Sequence, residues 1–145
     1  MPEVIVKIKR GWAAEIPRYQ TLGSAGADIC ANYKGVIEPG QRAIVSTGVC
    51  IEVPEGYECQ VRPRSGLAAK HGVTILNSPG TIDSDYRGEI KLIMLNTGTE
   101  PFGYEGGERL AQLVISPVVR AAFVEVVELS DTDRGFGGLG STGTR

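Results

Sequence analysis

Apolar and polar positions alternate in short runs along most of this chain. Val4, Val6 and Ile8 are interleaved with Ile5, Lys7 and Lys9, the period-two pattern of a half-buried strand. Similar runs predict strands at Ala27–Ala31, Arg42–Val53, Tyr57–Arg62, Val73–Leu76, Gly88–Asn96, Arg109–Val118 and Phe123–Leu129. Pro39-Gly40 and Pro54-Glu55-Gly56 read as turns between them. Helical periodicity is confined to Ser65–Lys70, where Ser65 is placed to cap a short helix. The pattern therefore predicts an all-β fold, a distorted jelly-roll barrel or sandwich with at most one short helix. From Asp131 to Arg145 the alternation stops, and only Phe136 and Leu139 are large and apolar. We expect residues 1–130 to form the domain and 131–145 a flexible, glycine-rich arm that is dispensable or orders on a ligand.

Composition sharpens this picture. The 145 residues suit one domain, and 20 glycines with 8 prolines fit a chain of many short strands. The formal net charge of −2 gives no general attraction to nucleic acid or to an anionic membrane. No apolar run approaches the roughly 20 residues that span a bilayer. Cys30, Cys50 and Cys59 are odd in number and lack C-x-x-C spacing, so they read as small buried residues in a reducing, cytoplasmic setting.

Five segments carry candidate chemistry. Gly80-Thr81-Ile82-Asp83-Ser84-Asp85-Tyr86-Arg87-Gly88 lies between the runs Val73–Leu76 and Ile90–Leu95. Such a hairpin can hold a base and sugar and still present a carboxylate. Asp83 is a candidate base, metal ligand or turn acid, Asp85 reads as a solvated turn acid, and Tyr86 either packs on a sugar or covers a core edge. In Arg62-Pro63-Arg64-Ser65-Gly66-Leu67-Ala68 a strand gives way to a helix start with a hydroxyl and an arginine, which is either an anion site or a plain turn. Gln112 interrupts an apolar run as a core amide or a ligand contact, and Asp28 reads most simply as a capping or turn acid. The glycines after Arg134 are able to wrap a phosphate or to remain a free tail. His71 is the only histidine, and no pattern around it supports a nucleophilic triad.

In this order and spacing, Ala25–Asp28, Pro63–Gly72, Asn77–Gly88, Gly107–Gln112 and Arg134–Gly143 resemble the motifs of the homotrimeric deoxyuridine triphosphatase (dUTP diphosphatase) family. The resemblance implies a jelly roll, a trimer with sites between subunits, and hydrolysis of dUTP to dUMP and pyrophosphate with Mg²⁺. That reaction limits uracil in DNA and supplies dUMP for thymidylate synthesis. It further implies that uracil lies against Asn77 and the Gly80-Thr81-Ile82-Asp83 backbone, with Lys91 on the opposite strand and Tyr86 under the deoxyribose. Asp83 matches the general base. Arg64, Ser65 and Gly66 match a phosphate-binding turn from a neighbouring subunit, and Gln112 matches a further phosphate contact. Asp28 matches an acid near the metal that acts through water, and Arg134 an arginine of the closing arm.

One position departs from the family's pattern. An aromatic residue usually covers the uracil five residues after the arm arginine, where this chain has Leu139, followed by Gly140. Leu139 then covers the base without the stacking contribution, on the order of 1 kcal/mol; Phe136 is the alternative cover. A dCTP deaminase of the same fold and a non-catalytic dUTP-binding module are the rival readings. The Asp83–Tyr86 hairpin favours the hydrolase over both.

Overall fold

The structure is a computed structural model and describes residues 2–145. Among the described residues, ten strands and one helix follow one another. β1 is Lys7–Arg10, β2 Ala27–Cys30, β3 Gly35–Ile37, β4 Arg42–Glu52 and β5 Tyr57–Pro63. The helix α1 is Ser65–His71. Then come β6 Val73–Ile75, β7 Gly80–Ile82, β8 Glu89–Asn96, β9 Phe102–Tyr104 and β10 Arg109–Pro117. One four-stranded sheet has the order β1-β4-β8-β6, a second β2-β10-β5-β7, and β3 pairs with β9 as a ribbon. Every ladder among the described residues is antiparallel. The architecture is the all-β jelly-roll type that the alternation predicts.

The two sheets enclose one core because β4, β5 and β8 turn every second residue inward. Val45, Val49 and Ile51 of β4 and Ile90, Leu92 and Met94 of β8 face Ile29, Cys59, Val61, Leu110 and Leu113 of the other sheet, all of them buried. Two polar side chains are buried with them and satisfied. Thr47 Oγ1 donates to the Ile90 carbonyl at 2.5 Å. Asn96 Nδ2 donates to the carbonyls of Ile37 and Glu100, each at 2.8 Å, while its Oδ1 accepts from Gly98 N–H at 2.8 Å. A buried amide with both ends paired fixes the turn after β8 without a desolvation penalty.

Several sequence expectations change. The N-terminal strand begins at Lys7 rather than Val4, and all four of its residues are exposed on a sheet edge. Arg64, not Ser65, occupies the N-cap of α1, and no side chain caps it. Ser65 is already helical, so its hydroxyl is no longer the capping group. Asp28 is neither a cap nor a turn acid but a buried residue of β2. Cys59 is buried, whereas Cys30 and Cys50 are only half-buried; all three are free thiols. The run Phe123–Leu129 has no ladder partner within the chain and lies in solvent, with Phe123 96% and Val127 101% exposed. Regular structure therefore ends at Pro117, well before Asp131.

One strand was hidden in the predicted turn. β6 and β8 pair as a hairpin would, with Ile75 opposite Met94. The segment between them does not simply turn. It crosses to the other sheet, where Gly80–Ile82 adds to β5 with Cys59 opposite Ile82 and Val61 opposite Gly80. Adjacent edges of the two sheets are thus joined by one short crossing, and the gap beside that crossing is the cleft described next.

Candidate active site

The cleft has a volume of about 320 Å³. Asn77 comes from the crossing, Gly80, Thr81, Ile82 and Asp83 from β7 and its end, Tyr86 from the following turn, and Lys91 from β8. These are the predicted base- and sugar-side residues of the hairpin and of the facing strand, gathered in one place; the predicted cover over the base, Leu139 or Phe136, is not among them. Ile44, Val61, Ile75, Ile90 and Ile93 supply an apolar lining that the motifs did not reveal. A site of this kind, apolar with a few convergent polar groups, suits a flat ring with a polar edge.

The local folding explains the arrangement. Strand alternation buries Gly80 and Ile82 and leaves Thr81 and Asp83 exposed. Gly80 packs tightly on Val61: a Cβ there would stand 3.2 Å from the Val61 side chain. The Tyr86 N–H donates to the Asp83 carbonyl at 3.1 Å, closing a turn that leaves the Asp83 carboxylate at the rim. Asp85 lies in that turn, exposed and outside the cleft lining. Tyr86 is 43% exposed, and its hydroxyl donates to the Glu89 carbonyl at 2.8 Å.

A second polar group is centred on Asp28. Its carboxylate is 3% exposed. Oδ2 accepts from Arg109 Nη1 at 3.0 Å, and Oδ1 accepts from Gln112 Nε2 at 3.1 Å. Arg64 Nε lies 3.7 Å from Oδ1, and Arg64 Nη1 donates to the Arg109 carbonyl at 2.9 Å. Asp28 and Gln112 are direct partners in the β2–β10 ladder, which is why a residue pair 84 positions apart meets. Gly26 leaves room for the amide, since a Cβ there would stand 3.1 Å from Gln112 Cβ. Gln112 is thus half-buried and tied to Asp28 rather than a core amide. Ser65 and Gly66 sit beside this group, exposed on the first turn of α1.

None of the Asp28 group, Ser65 or Gly66 lines the cleft of its own chain. Nor does the arm. Arg134 Nε donates to Gly137 O at 2.9 Å within the arm itself, and Phe136, Leu139 and Gly140 are exposed. The predicted residues therefore form three separate sets on one chain. Among the described residues, no three His, Cys, Asp or Glu side chains converge to hold a metal ion. No helix among the described residues is long and apolar enough to cross a membrane.

Two charged residues emerge only from the structure. Arg109 belongs to a motif segment, but its partner is fixed by strand register, which the sequence does not print. Glu89 lines the cleft, and its carboxylate is held below its ordinary pKa of 4.5, chiefly because the Ser46 hydroxyl donates to it and Gly48 N–H does so at 3.0 Å. Elsewhere, burial pushes the Cys59 thiol up to about 12, and Glu58 adds to the effect. His71 is an exposed residue whose ring packs on Phe102 with centroids 5.1 Å apart.

A family model described as dUTPase matches residues 13–143. The chain belongs to the dUTPase family. A deoxyuridine 5'-triphosphate nucleotidohydrolase of Beijerinckia indica is 54% identical, over 98% of this chain and 92% of the relative. One of Chlamydia pneumoniae is 60% identical over 89% of this chain and 91% of the relative. Among solved structures, the dUTPase of Staphylococcus bacteriophage 80alpha with dUPNHPP superposes with a TM-score of 0.90 at 28% identity, covering 97% of this chain and 99% of that one. A variant dUTPase from phage phi11 of S. aureus, described with a structural Mg(II) ion, has a TM-score of 0.79 at 25% identity, over 86% of this chain and 97% of that one. Membership makes this dUTPase an enzyme of dUTP hydrolysis.

Proposed function

We propose that Asp83 orients and deprotonates a water molecule for in-line attack on the α-phosphorus of dUTP, releasing dUMP and pyrophosphate. The observation that carries this reading is the position of Asp83 at the rim of the cleft, next to the Asn77, Gly80, Thr81, Ile82 and Lys91 lining. Backbone donors and acceptors of an edge strand fit the polar edge of uracil, and the reversed pattern of cytosine would leave buried groups unpaired. Tyr86 lines the same cleft, which supports its contact with the deoxyribose. The barrier falls mainly through positioning and charge neutralisation, since phosphoryl transfer asks for little else from the protein.

The phosphates need cations that the cleft itself lacks beyond Lys91. Arg64, with the N–H groups of Ser65 and Gly66 at the start of α1, and the amide of Gln112 form a matching set elsewhere on the chain. Three copies of the chain would unite these sets: the cleft from one subunit, the Arg64–Gly66 turn and Gln112 from a second, and the arm with Arg134, Leu139 and Gly140 from another. The separation of the sets on a single chain supports this homotrimer, as does the solvent-exposed apolar run Phe123–Leu129.

Mg²⁺ fits the site as a passenger of the triphosphate. Both Asp28 oxygens already accept from Arg109 and Gln112, so Asp28 is suited to a water-mediated role rather than direct ligation. A small hard cation that keeps most of its waters requires no protein cage. When bound, it supplies neutralisation of phosphate charge. Three free thiols suit a reducing cytoplasm, where this activity would limit uracil in DNA and supply dUMP for thymidylate synthesis.

Pyrophosphate release measured across the deoxynucleoside triphosphates tests the reading. The expected outcome is release from dUTP alone. Ammonia from dCTP would indicate a deaminase instead, and tight dUTP binding without turnover a regulatory module.

A further inference from the structure

Tyr86 is not a free wall of the cleft. Its ring folds back across Gly88, and its hydroxyl reaches the Glu89 carbonyl at 2.8 Å. A Cβ on residue 88 would stand 2.5 Å from Tyr86 Oη and 2.7 Å from Cζ, closer than real atoms approach. Gly88 is not among the glycines with positive φ, so its backbone accepts any residue. A side chain at residue 88 would have to displace the Tyr86 ring, which occupies that space.

The carbonyl that receives the hydroxyl is itself held in place. Ser46 pairs with Lys91, and the next partners are Cys50 and Glu89, so β4 carries two more residues than β8 over this stretch. The ladder is broken there, at Gly48 with φ +68°, and its N–H lacks a strand partner. The Glu89 carboxylate fills the gap. Oε2 accepts from Gly48 N–H at 3.0 Å and from the Ser46 hydroxyl. On the other side of the bulge, Thr47 Oγ1 donates to the Ile90 carbonyl at 2.5 Å. Residue 89 is therefore clamped by its side chain to β4 while its carbonyl holds Tyr86.

We propose that Gly88 and Glu89 are positioning residues that fix the Tyr86 ring and, through it, the selection of a 2′-deoxy sugar over ribose. The inference rests on the reading of the cleft as the dUTP site. Neither residue has to touch the nucleotide. Gly88 provides the space into which the ring folds, and Glu89 fixes the anchor of its hydroxyl. A ring held at two points leaves no slack for a 2′-hydroxyl, whereas a ring that has lost either constraint is able to give way.

The test is steady-state kinetics with dUTP and UTP on the full-length wild type and on Gly88→Ala, Glu89→Ala and Glu89→Gln. For Gly88→Ala we expect KM for dUTP to rise about tenfold and the preference for dUTP over UTP to fall about tenfold, with kcat for dUTP changing less than KM. Glu89→Ala should follow in the same direction. Glu89→Gln keeps an acceptor for Ser46 and Gly48 and should restore most of the sugar preference. A purely structural role would lower thermal stability and leave the dUTP:UTP ratio of every variant at the wild-type value, which would overturn the proposal. If Gly88→Ala does not fold, the contrast between the two Glu89 variants decides alone. A wild type that hydrolyses dUTP and UTP equally removes both the proposal and the sugar-site assignment. A wild type that selects dUTP, with variants that select it equally well, removes only the proposal.

Discussion

The Arg109 guanidinium meets the Asp28 carboxylate at 3.0 Å, although 81 positions separate them in the chain. Asp28 is almost fully enclosed, while Arg109 is 44% exposed. Removing the cation leaves a buried carboxylate with one weaker ion pair to Arg64 and one amide. Breaking a fully buried pair costs about 3–5 kcal/mol. With Arg109 partly in solvent and two partners remaining, we expect Arg109→Ala to destabilise by about 2 kcal/mol. Asp28→Asn keeps an acceptor and buries no charge, so it should cost less. Urea denaturation of both variants checks the order, and an equal or reversed order would show that Asp28 is not held by its charge.

Asp83 has a separate burden. It is exposed at the rim of the cleft and contributes nothing to the core. Asp83→Asn should therefore fold and bind a non-hydrolysable dUTP analogue with near-native affinity. Its turnover should fall by about 10³-fold, within the range expected on losing a general base. Single-turnover pyrophosphate release together with calorimetric titration separates the two effects. Normal turnover in the variant would assign the base elsewhere.

Much of this was readable before any coordinates. Alternation in Arg42–Glu52 and Glu89–Asn96 is strong because each strand has one face in the core, and both strands appear where the pattern places them. The segment Gly80–Gly88 stands out by its two acids, tyrosine and arginine between glycines, whereas Asn77 and Lys91 are pointed to only by the resemblance to the dUTPase family. What escaped were properties of pairing. β7 is three residues long and looks like part of a turn until β5 is set beside it. Arg109 has an ordinary sequence context, and only the β2–β10 register brings it to Asp28. Glu89 carries no signal in the sequence, because the bulge it fills lies on a different strand. The run Phe123–Leu129 shows the converse: an apolar run broken only by Glu125 and Glu128 marks a surface to be covered, without saying by what.

The ionisation of Glu89 gives a pH test. Its folded pKa lies below the ordinary 4.5, mainly through the Ser46 hydroxyl. A depressed carboxylate contributes stability above its unfolded pKa and loses it as pH falls through the folded value. Glu89→Gln does not titrate. The wild type should be more stable than this variant at pH 7, and the difference should shrink as pH drops below about 4.5. Thermal melts at a series of pH values follow the gap. A gap that stays constant into acid would mean that the clamp on Gly48 does not depend on charge.

Assembly is tested through the exposed run. Phe123, Val124, Val127 and Leu129 are each at least 77% exposed on the single chain. Burying four such side chains against a neighbour is worth about 1.5–3 kcal/mol apiece before ordering costs. We expect light scattering to report a trimer for the wild type, and Val124→Ser/Val127→Ser to weaken it, with activity recovering as protein concentration rises. A variant that remains trimeric at nanomolar concentration would show that this segment does not hold the subunits together.

Among the described residues, the arm makes no hydrogen bond to the β domain of its own chain; its bonds, such as Arg134 to Gly137, are internal. Deleting residues from Asp133 onward should leave melting temperature and oligomeric state unchanged. Loss of Arg134 and of the cover over the base should lower kcat/KM by at least about a hundredfold. Leu139 and Phe136 are then distinguished by substitution. If Leu139 covers the uracil, Leu139→Phe adds aromatic stacking of about 1 kcal/mol and lowers KM about fivefold. Phe136→Ala should then change little. If Phe136 is the cover, its removal raises KM by a similar factor and the Leu139 change has no effect. Kinetics on the two single variants therefore identify which side chain closes the site, and an unaltered rate in the truncated enzyme would mean that neither does.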